Sequence, residues 1–260
     1  MTPYKLTVAP NGARLQKTDH PALPITIPET VETAKTCFAA GAHEIHLHIR
    51  TDDGSHSLDP ARYRECIDEL AKAVPDMSVQ ITTESAGIFD VSDQLACIDQ
   101  LRPKAASISV REMARNPTLA KRIYAICAET HTHVQHILYT HDCVQQLIKW
   151  QTDHTIPALF NDVICVLGHY NPPKLGQPNM ITPFLQAFEP HSYNWSACAF
   201  GQNEHACLIE ALRLGGHVRI GFENNIRTPK GTDLADNAAS IRAFTALAKA
   251  NDFTPQERRS

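Results

Sequence analysis

The feature of this chain that most restricts its fold is a regular alternation of two hydrophobic periods. Short β-rich runs recur about every 25 to 35 residues. Eight are visible: KLTVAP (5–10), EIHLHIR (44–50), SVQITTE (78–84), AASISVR (105–111), HVQHILYT (133–140), DVICVLG (162–168), SYNWSACAF (192–200) and HVRIGFEN (217–224). Amphipathic segments lie between them. PETVETAKTCFAAGA opens with Pro28 and an acidic first turn and ends near Gly41, and DPARYRECIDELAKAVP carries Asp59 as N-cap with Pro60 at the first helical position. VSDQLACIDQLRP, NPTLAKRIYAICAETH, HDCVQQLIKWQTD, NEHACLIEALRLGG and DLADNAASIRAFTALAKAN read the same way.

Alternation at this period implies parallel strands joined by right-handed crossovers, and eight units in 260 residues predict a single α/β domain, a (β/α)8 TIM barrel spanning 1–260. An open doubly wound sheet fits less well, because it offers fewer strands at this length and no G-x-G-x-x-G follows the first strand. Residues 251–260 read as a polar tail. The connection over residues 10–29 exceeds an ordinary βα loop, a length that tends to carry function.

Composition narrows the partners. The net charge is −4, without a Lys/Arg block, which argues against nucleic acid. Eight cysteines without a C-x-x-C pair read as reduced thiols in a cytoplasm. The N-terminal MTPYKLTVAP has no leader pattern and no apolar run reaches membrane-spanning length, so a soluble cytoplasmic protein is expected.

In EIHLHIR, successive side chains face opposite ways, placing Ile45, Leu47 and Ile49 on one face and His46, His48 and Arg50 on the other. On an arbitrary strand the polar row would meet water. In a barrel the aliphatic row meets the helices, so the two imidazoles and the guanidinium point toward the axis, near the end where active sites of this fold are built. The same parity in HVRIGFEN leaves Arg219, Gly221 and Glu223 inside, with Asn224 at the strand's end. His46, His48 and Glu223 then form a three-ligand set for a borderline cation, zinc first among candidates; the competing reading of Glu223 is an ion pair with Arg50 or Arg219. Gln80, Thr82 and Glu84 from strand three and Ser107, Ser109 and Arg111 from strand four share the inward parity. Their hydroxyls suit either a substrate carboxylate or neighbouring backbone. Asn11 ends strand one. His136 and His169 read as structural.

The segments PITIPETVETAKTCFAAGAHEIHLHIRTDDGSHSLDPARYRECI, ITTES and GGHVRIGFENN resemble the β-keto acid cleavage enzymes, TIM barrels that use zinc and acetyl-CoA. The resemblance runs from strand one to strand eight. It implies exchange of the acyl group of a β-keto acid with acetyl-CoA by a retro-Claisen route, giving acetoacetate and a new acyl-CoA, in a homo-oligomer. It further implies zinc on His46, His48 and Glu223, Arg219 beside the reacting group, and substrate contacts from Thr82 and Ser107; Asn11 and Arg50, at the ends of the first two strands, are further candidate substrate contacts. For coenzyme A the loops after strands six to eight are the natural phosphate site, which makes Arg227, Lys230 and the helix start at GQNE candidates. Two departures stand out. ENN replaces the family's Glu-Asp-Asn, so Asn224 stands where an aspartate base is expected, and an amide cannot take a proton at neutral pH. ITTES replaces T-T-G-G, so Glu84 adds a carboxylate at the mouth of strand three, either a relocated base or a rim charge. The alternatives to acyl exchange are a metal-dependent hydrolase and a non-catalytic, metal-containing acid binder.

Overall fold

The computed structural model describes residues 1–170 and 172–257. Eight strands close a parallel barrel: β1 (Leu6–Val8), β2 (Glu44–Leu47), β3 (Ser78–Thr82), β4 (Ala105–Ser109), β5 (His133–Leu138), β6 (Asp162–Leu167), β7 (Asn194–Ala199) and β8 (His217–Ile220). They neighbour one another in chain order, and β8 pairs with β1 to complete the ring. The chain is a (β/α)8 barrel.

The helices form where their caps anticipate them. Thr26 and Glu29 make a reciprocal capping box ahead of Ile27–Ala39, and Asp59 accepts from the Ala61 amide ahead of Pro60–Ala73. The segment between β6 and β7 shows no long helical period. Its helix is short, Thr182–Phe188, and begins with a proline after a single 3-10 turn at Pro178–Met180.

Outward-facing Leu6, Val8, Ile45, Leu47, Ile81, Ala106, Ile108 and Val134 pack with the helices into the main core. Alternation puts the other row on the axis, where Ile137, Ile164, Val166 and Cys198 form a separate small cluster. The rest of the interior is polar. Thr7 donates to Glu44 (3.0 Å), and Gln80, Gln135 and Ser196 are joined by hydrogen bonds across the axis. On the fifth strand Gln135 points inward. His136 faces the helices instead, its ring between the Tyr124 hydroxyl (3.4 Å) and the Phe160 carbonyl (3.2 Å).

Several strands end earlier than their apolar alternation suggests, and each stop has a local cause. The run 44–50 splits after Leu47. Ile49–Arg50 leaves the barrel and pairs antiparallel with His56–Ser57 around a turn in which Asp53 accepts from the Ser55 amide (3.0 Å). The fourth run stops at Ser109 and becomes a helical turn, Val110–Met113, so Arg111 lies exposed over the Tyr139 ring rather than on the axis. The eighth stops at Ile220 because Gly221 has φ +140°. The expected tail is corrected over part of its length: Phe253–Pro255 is a strand paired in parallel with Thr2–Tyr4, anchored further by the Gln256 amide on the Tyr4 carbonyl. A strand at the extreme N-terminus supplies edge groups that a polar tail alone could not reveal. Residues 258–260 of that tail lie outside the described residues.

Gly221 is the hinge between the strand and the Glu223 turn. A Cβ there would lie 2.4 Å from the Ala9 carbonyl oxygen, in a backbone region that side-chain-bearing residues avoid. Gly221→Ala is expected to lower stability by roughly 2–4 kcal/mol, read as a shift in the urea midpoint at unchanged slope.

Candidate metal centre and active site

The C-terminal ends of β2 and β8 bring His46, His48 and Glu223 together, as the shared strand parity predicts. All three are buried, and one ligand atom from each lies within 4.8 Å of the others. Glu223 Oε2 is 3.6 Å from His46 Nε2 and 3.5 Å from His48 Nε2. These separations are long for hydrogen bonds but suit atoms sharing one ion, since two ligands about 2.0–2.1 Å from a tetrahedral centre stand about 3.3 Å apart. Both ring nitrogens of His48, and Oε2 of Glu223, are buried without a hydrogen-bond partner among the described residues. Buried polar atoms left unpaired at one point fit a cation held between them.

Each ligand is braced. His46 Nδ1 meets Gln80 Oε1 at 2.8 Å, leaving Nε2 for the site. The Asn11 amide donates to the His48 carbonyl (3.3 Å) and to Pro24 O (3.0 Å), pinning the break in the second β-run. The Glu223 amide donates to Ala9 O (3.0 Å), its carbonyl accepts from the Tyr170 hydroxyl, and its side chain lies against Gly12, where a Cβ would stand 2.6 Å from Glu223 Cγ.

Electrostatics favour a neutral imidazole beside an ionised carboxylate. Burial, helped by the Arg219 charge, pushes His46 down to about 3. Burial opposes ionisation of Glu223, but the Arg219 guanidinium leads the effects that outweigh it and hold the carboxyl well below the usual carboxylate range. Arg219 sits 3.3 Å from Glu223 Oε1 and donates to Cys198 Sγ (3.3 Å), while its Nε and Nη1 have no partner among the described residues. Of the two ion pairs weighed for Glu223, the one with Arg219 therefore forms alongside the ligand cluster.

Glu84 is a second carboxylate at this mouth. Its Oε2 lies 3.9 Å from His48 Nε2, and Arg14 approaches Oε1 at 4.0 Å. Burial pushes its carboxyl above the usual range against the pull of His48, and Glu223 adds repulsion. It is not a freely solvated rim charge.

The hydroxyls of Thr82 and Ser107 lie side by side, 3.2 Å apart and fully buried, and Thr82 Oγ1 accepts from the Glu84 amide (3.1 Å). Asn224 is buried with both side-chain amide atoms unpartnered among the described residues. Arg50, expected among the substrate contacts, instead donates to four backbone carbonyls, those of Gly12 (2.8 Å), Gly54 (2.7 Å), Asn11 (3.3 Å) and Leu15 (3.0 Å). Once the strand breaks at His48, that side chain leaves the axis and clamps the long 10–29 connection. Arg227 and Lys230 lie exposed on the loop after β8, away from the cluster's buried interior, and Arg227 pairs with Asp233 at 3.7 Å.

Three participants were missed from sequence. Arg14 and Tyr170 sit in loops, without periodicity to flag them. His56 packs on the His48 ring at 5.3 Å between centroids and bonds the Glu84 carbonyl (2.7 Å). Its signal was the alternation in GSHSL, masked by the turn before it. A further buried carboxylate, Glu204, supports the ENN turn by accepting from the Gly221 amide (3.2 Å) and the Asn225 side chain (3.3 Å); burial raises it to about 8.

Two outcomes follow from these contacts. Lysine cannot satisfy four carbonyls in one plane, so Arg50→Lys should lose roughly 2–4 kcal/mol in denaturant unfolding. Between the ordinary carboxylate range and about pH 8 the folded chain keeps a proton on Glu204 that the unfolded chain has lost, so stability falls as pH rises across that window. Glu204→Gln should flatten this decline in melting temperatures measured from pH 5 to 9.

The chain is 26% identical over 255 residues to the 3-keto-5-aminohexanoate cleavage enzyme of Fusobacterium nucleatum, covering 94% of this chain and 90% of that one. It is 28% identical over 260 residues to the 3-oxoadipate:acetyl-CoA acetyltransferase of Cupriavidus necator (94% and 88%) and 32% identical over 277 residues to the 3,5-dioxohexanoate:acetyl-CoA acetone transferase of Paraburkholderia graminis (91% and 87%). Among solved structures, the ternary complex of ObcA with a C4-CoA adduct and oxalate superposes with a TM-score of 0.66 at 13% identity, over 91% of this chain and 65% of that longer one, a likeness of fold. The profile of the β-keto acid cleavage enzymes matches residues 3–259, and the chain belongs to that family.

Proposed function

We propose that this chain exchanges the acyl group of a β-keto acid with acetyl-CoA, giving acetoacetate and a new acyl-CoA, with zinc held by His46, His48 and Glu223 and with Glu84 as the base. The observation that carries the reading is the convergence of that ligand set with a second, partly desolvated carboxylate, Glu84, 3.9 Å from His48. Family membership and the acetyl-CoA-dependent reactions named for the relatives support it.

Zinc, when bound, acts as a Lewis acid toward the keto oxygen and so eases formation of the carbanion at C2. Glu84 takes a proton from the C2 methylene; its raised proton affinity suits that task better than an ordinary surface carboxylate would. C2 then bonds to the acetyl carbonyl carbon and the CoA thiolate leaves. The thiolate attacks the original keto carbon, the old C2–C3 bond breaks, and the proton returns from Glu84 to C2 of acetoacetate. Atoms balance, with no redox partner.

Arg219, charged and with two unpartnered donor atoms, stabilises the negative charge that develops. Thr82, whose hydroxyl oxygen accepts from Ser107 and keeps its own proton, offers that proton to the substrate carboxylate, and Asn224 orients the substrate through its amide without taking part in proton transfer. To Arg227 and Lys230, both exposed on the loop after β8, this reading assigns the phosphates of coenzyme A.

The test is metal analysis of the purified protein, then incubation with labelled acetyl-CoA and a panel of β-keto acids. Labelled acetoacetate is expected. Glu84→Gln should lower turnover about 100-fold or more while keeping the metal, whereas His48→Ala should lose it. Full turnover by Glu84→Gln removes Glu84 as the base. Product release without coenzyme A identifies a hydrolase, and acid binding without turnover identifies a binding protein.

A further inference from the structure

The polar interior of the barrel contains a continuous hydrogen-bonded line that ends on a ligand of the cluster. His46 Nδ1 meets Gln80 Oε1 at 2.8 Å, Gln80 Nε2 donates to Gln135 Oε1 at 3.3 Å, Gln135 Nε2 donates to Ser196 Oγ at 3.2 Å, and the Ser196 hydroxyl reaches the Val163 carbonyl at 3.4 Å. Gln80, Gln135 and Ser196 come from β3, β5 and β7. These are alternate strands, so the three side chains share one layer across the axis.

The far end sets the direction of the whole line. A backbone carbonyl can only accept, so the Ser196 hydroxyl donates to Val163 and its oxygen is left to accept. Gln135 must then turn its NH2 toward Ser196 and its oxygen toward Gln80. Gln80 in turn presents its oxygen to His46, which makes His46 Nδ1 the protonated nitrogen. Nε2 is left with a lone pair aimed at Glu223. In the reversed line each amide is flipped, Gln80 offers its NH2 to Nδ1, and the proton moves to Nε2, where it blocks coordination.

We infer that Gln80, Gln135 and Ser196 are positioning residues that hold His46 in the tautomer able to ligate a metal, with the Val163 carbonyl as the fixed point. Each amide has two orientations, and only one end of the line is chemically unambiguous, so loss of that end frees the others to flip. Partners of this kind typically alter metal affinity 10–100-fold when removed.

The metal consequence rests on the function proposed above; the tautomer does not. The experiment therefore reads both, in wild type, Ser196→Ala, Gln135→Leu and Ser196→Thr. In metal-free protein labelled at histidine nitrogen, the His46 ring signals, assigned by their loss in His46→Gln, report which nitrogen carries the proton. Zinc affinity is measured by competition with a chelator. Wild type and Ser196→Thr, which keeps the hydroxyl, should show Nδ1 protonated. Ser196→Ala and Gln135→Leu should show a mixture with the Nε2-protonated form and about tenfold or greater loss of zinc affinity. An unchanged His46 tautomer in both disrupted variants overturns the inference. A wild type that binds no zinc overturns the metal reading, while the nitrogen signals still decide for or against the line.

Discussion

The site depends first on the pairing that closes the barrel. β1 is only three residues long, yet it pairs with β8 on one side (Val218 with Leu6, Arg219 with Thr7, Ile220 with Val8) and with β2 on the other (Thr7 with Glu44, Val8 with Ile45). Strands lie about 4.8 Å apart, so one intervening strand leaves the ends of β2 and β8 about 10 Å apart at the backbone. Side chains leaning in from both sides span that gap and meet at a point. A carboxylate two residues beyond Gly221 and imidazoles at the end of β2 can share a ligand only in this register; slipping either pair by one residue would turn the ligand outward into the helix layer.

Much of this was legible in the chain. The eightfold alternation identified the barrel, and parity alone put His46, His48, Arg219 and Glu223 on the axis. Parity failed where strands stopped. Arg50 obeys the alternation of EIHLHIR on paper, but the break after Leu47 carries it into the clamp on four loop carbonyls. Arg111 fails likewise, because the fourth strand turns helical at Val110. Strand ends are set by loop hydrogen bonds, such as that from Asn11 to the His48 carbonyl, and these join residues far apart in sequence. The same limit hid Arg14, His56 and Tyr170.

The barrel axis is unusually polar for a packed core, and this has an energetic side. Each buried polar group without a partner costs about 1–3 kcal/mol. The interior meets this in two ways. Below the site, amides and hydroxyls pair with one another, as in the line from His46 to Val163. At the site itself, His48, Asn224 and Arg219 keep atoms unpartnered among the described residues. A protein that satisfies its polar groups one layer down and leaves them free one layer up has concentrated its unpaired capacity where a ligand can use it.

Asn224 and Glu84 are two sides of one electrostatic constraint. Three carboxylates at this mouth, at positions 84, 223 and 224, would face, among the described residues, two buried cationic side chains, Arg219 and the Arg50 already committed to backbone carbonyls, with Arg14 at the rim. Repulsion from Glu223 already raises the proton affinity of Glu84, and an aspartate at 224 would raise it further. With an amide at 224, negative charge in the pocket is limited to the ligand carboxylate and one other group. Glu84, rather than a residue next to the ligand in sequence, is then the group whose protonation state remains adjustable. In the reading proposed above, with Glu84 as the base, the titrating group sits at the end of β3 rather than on the turn after β8.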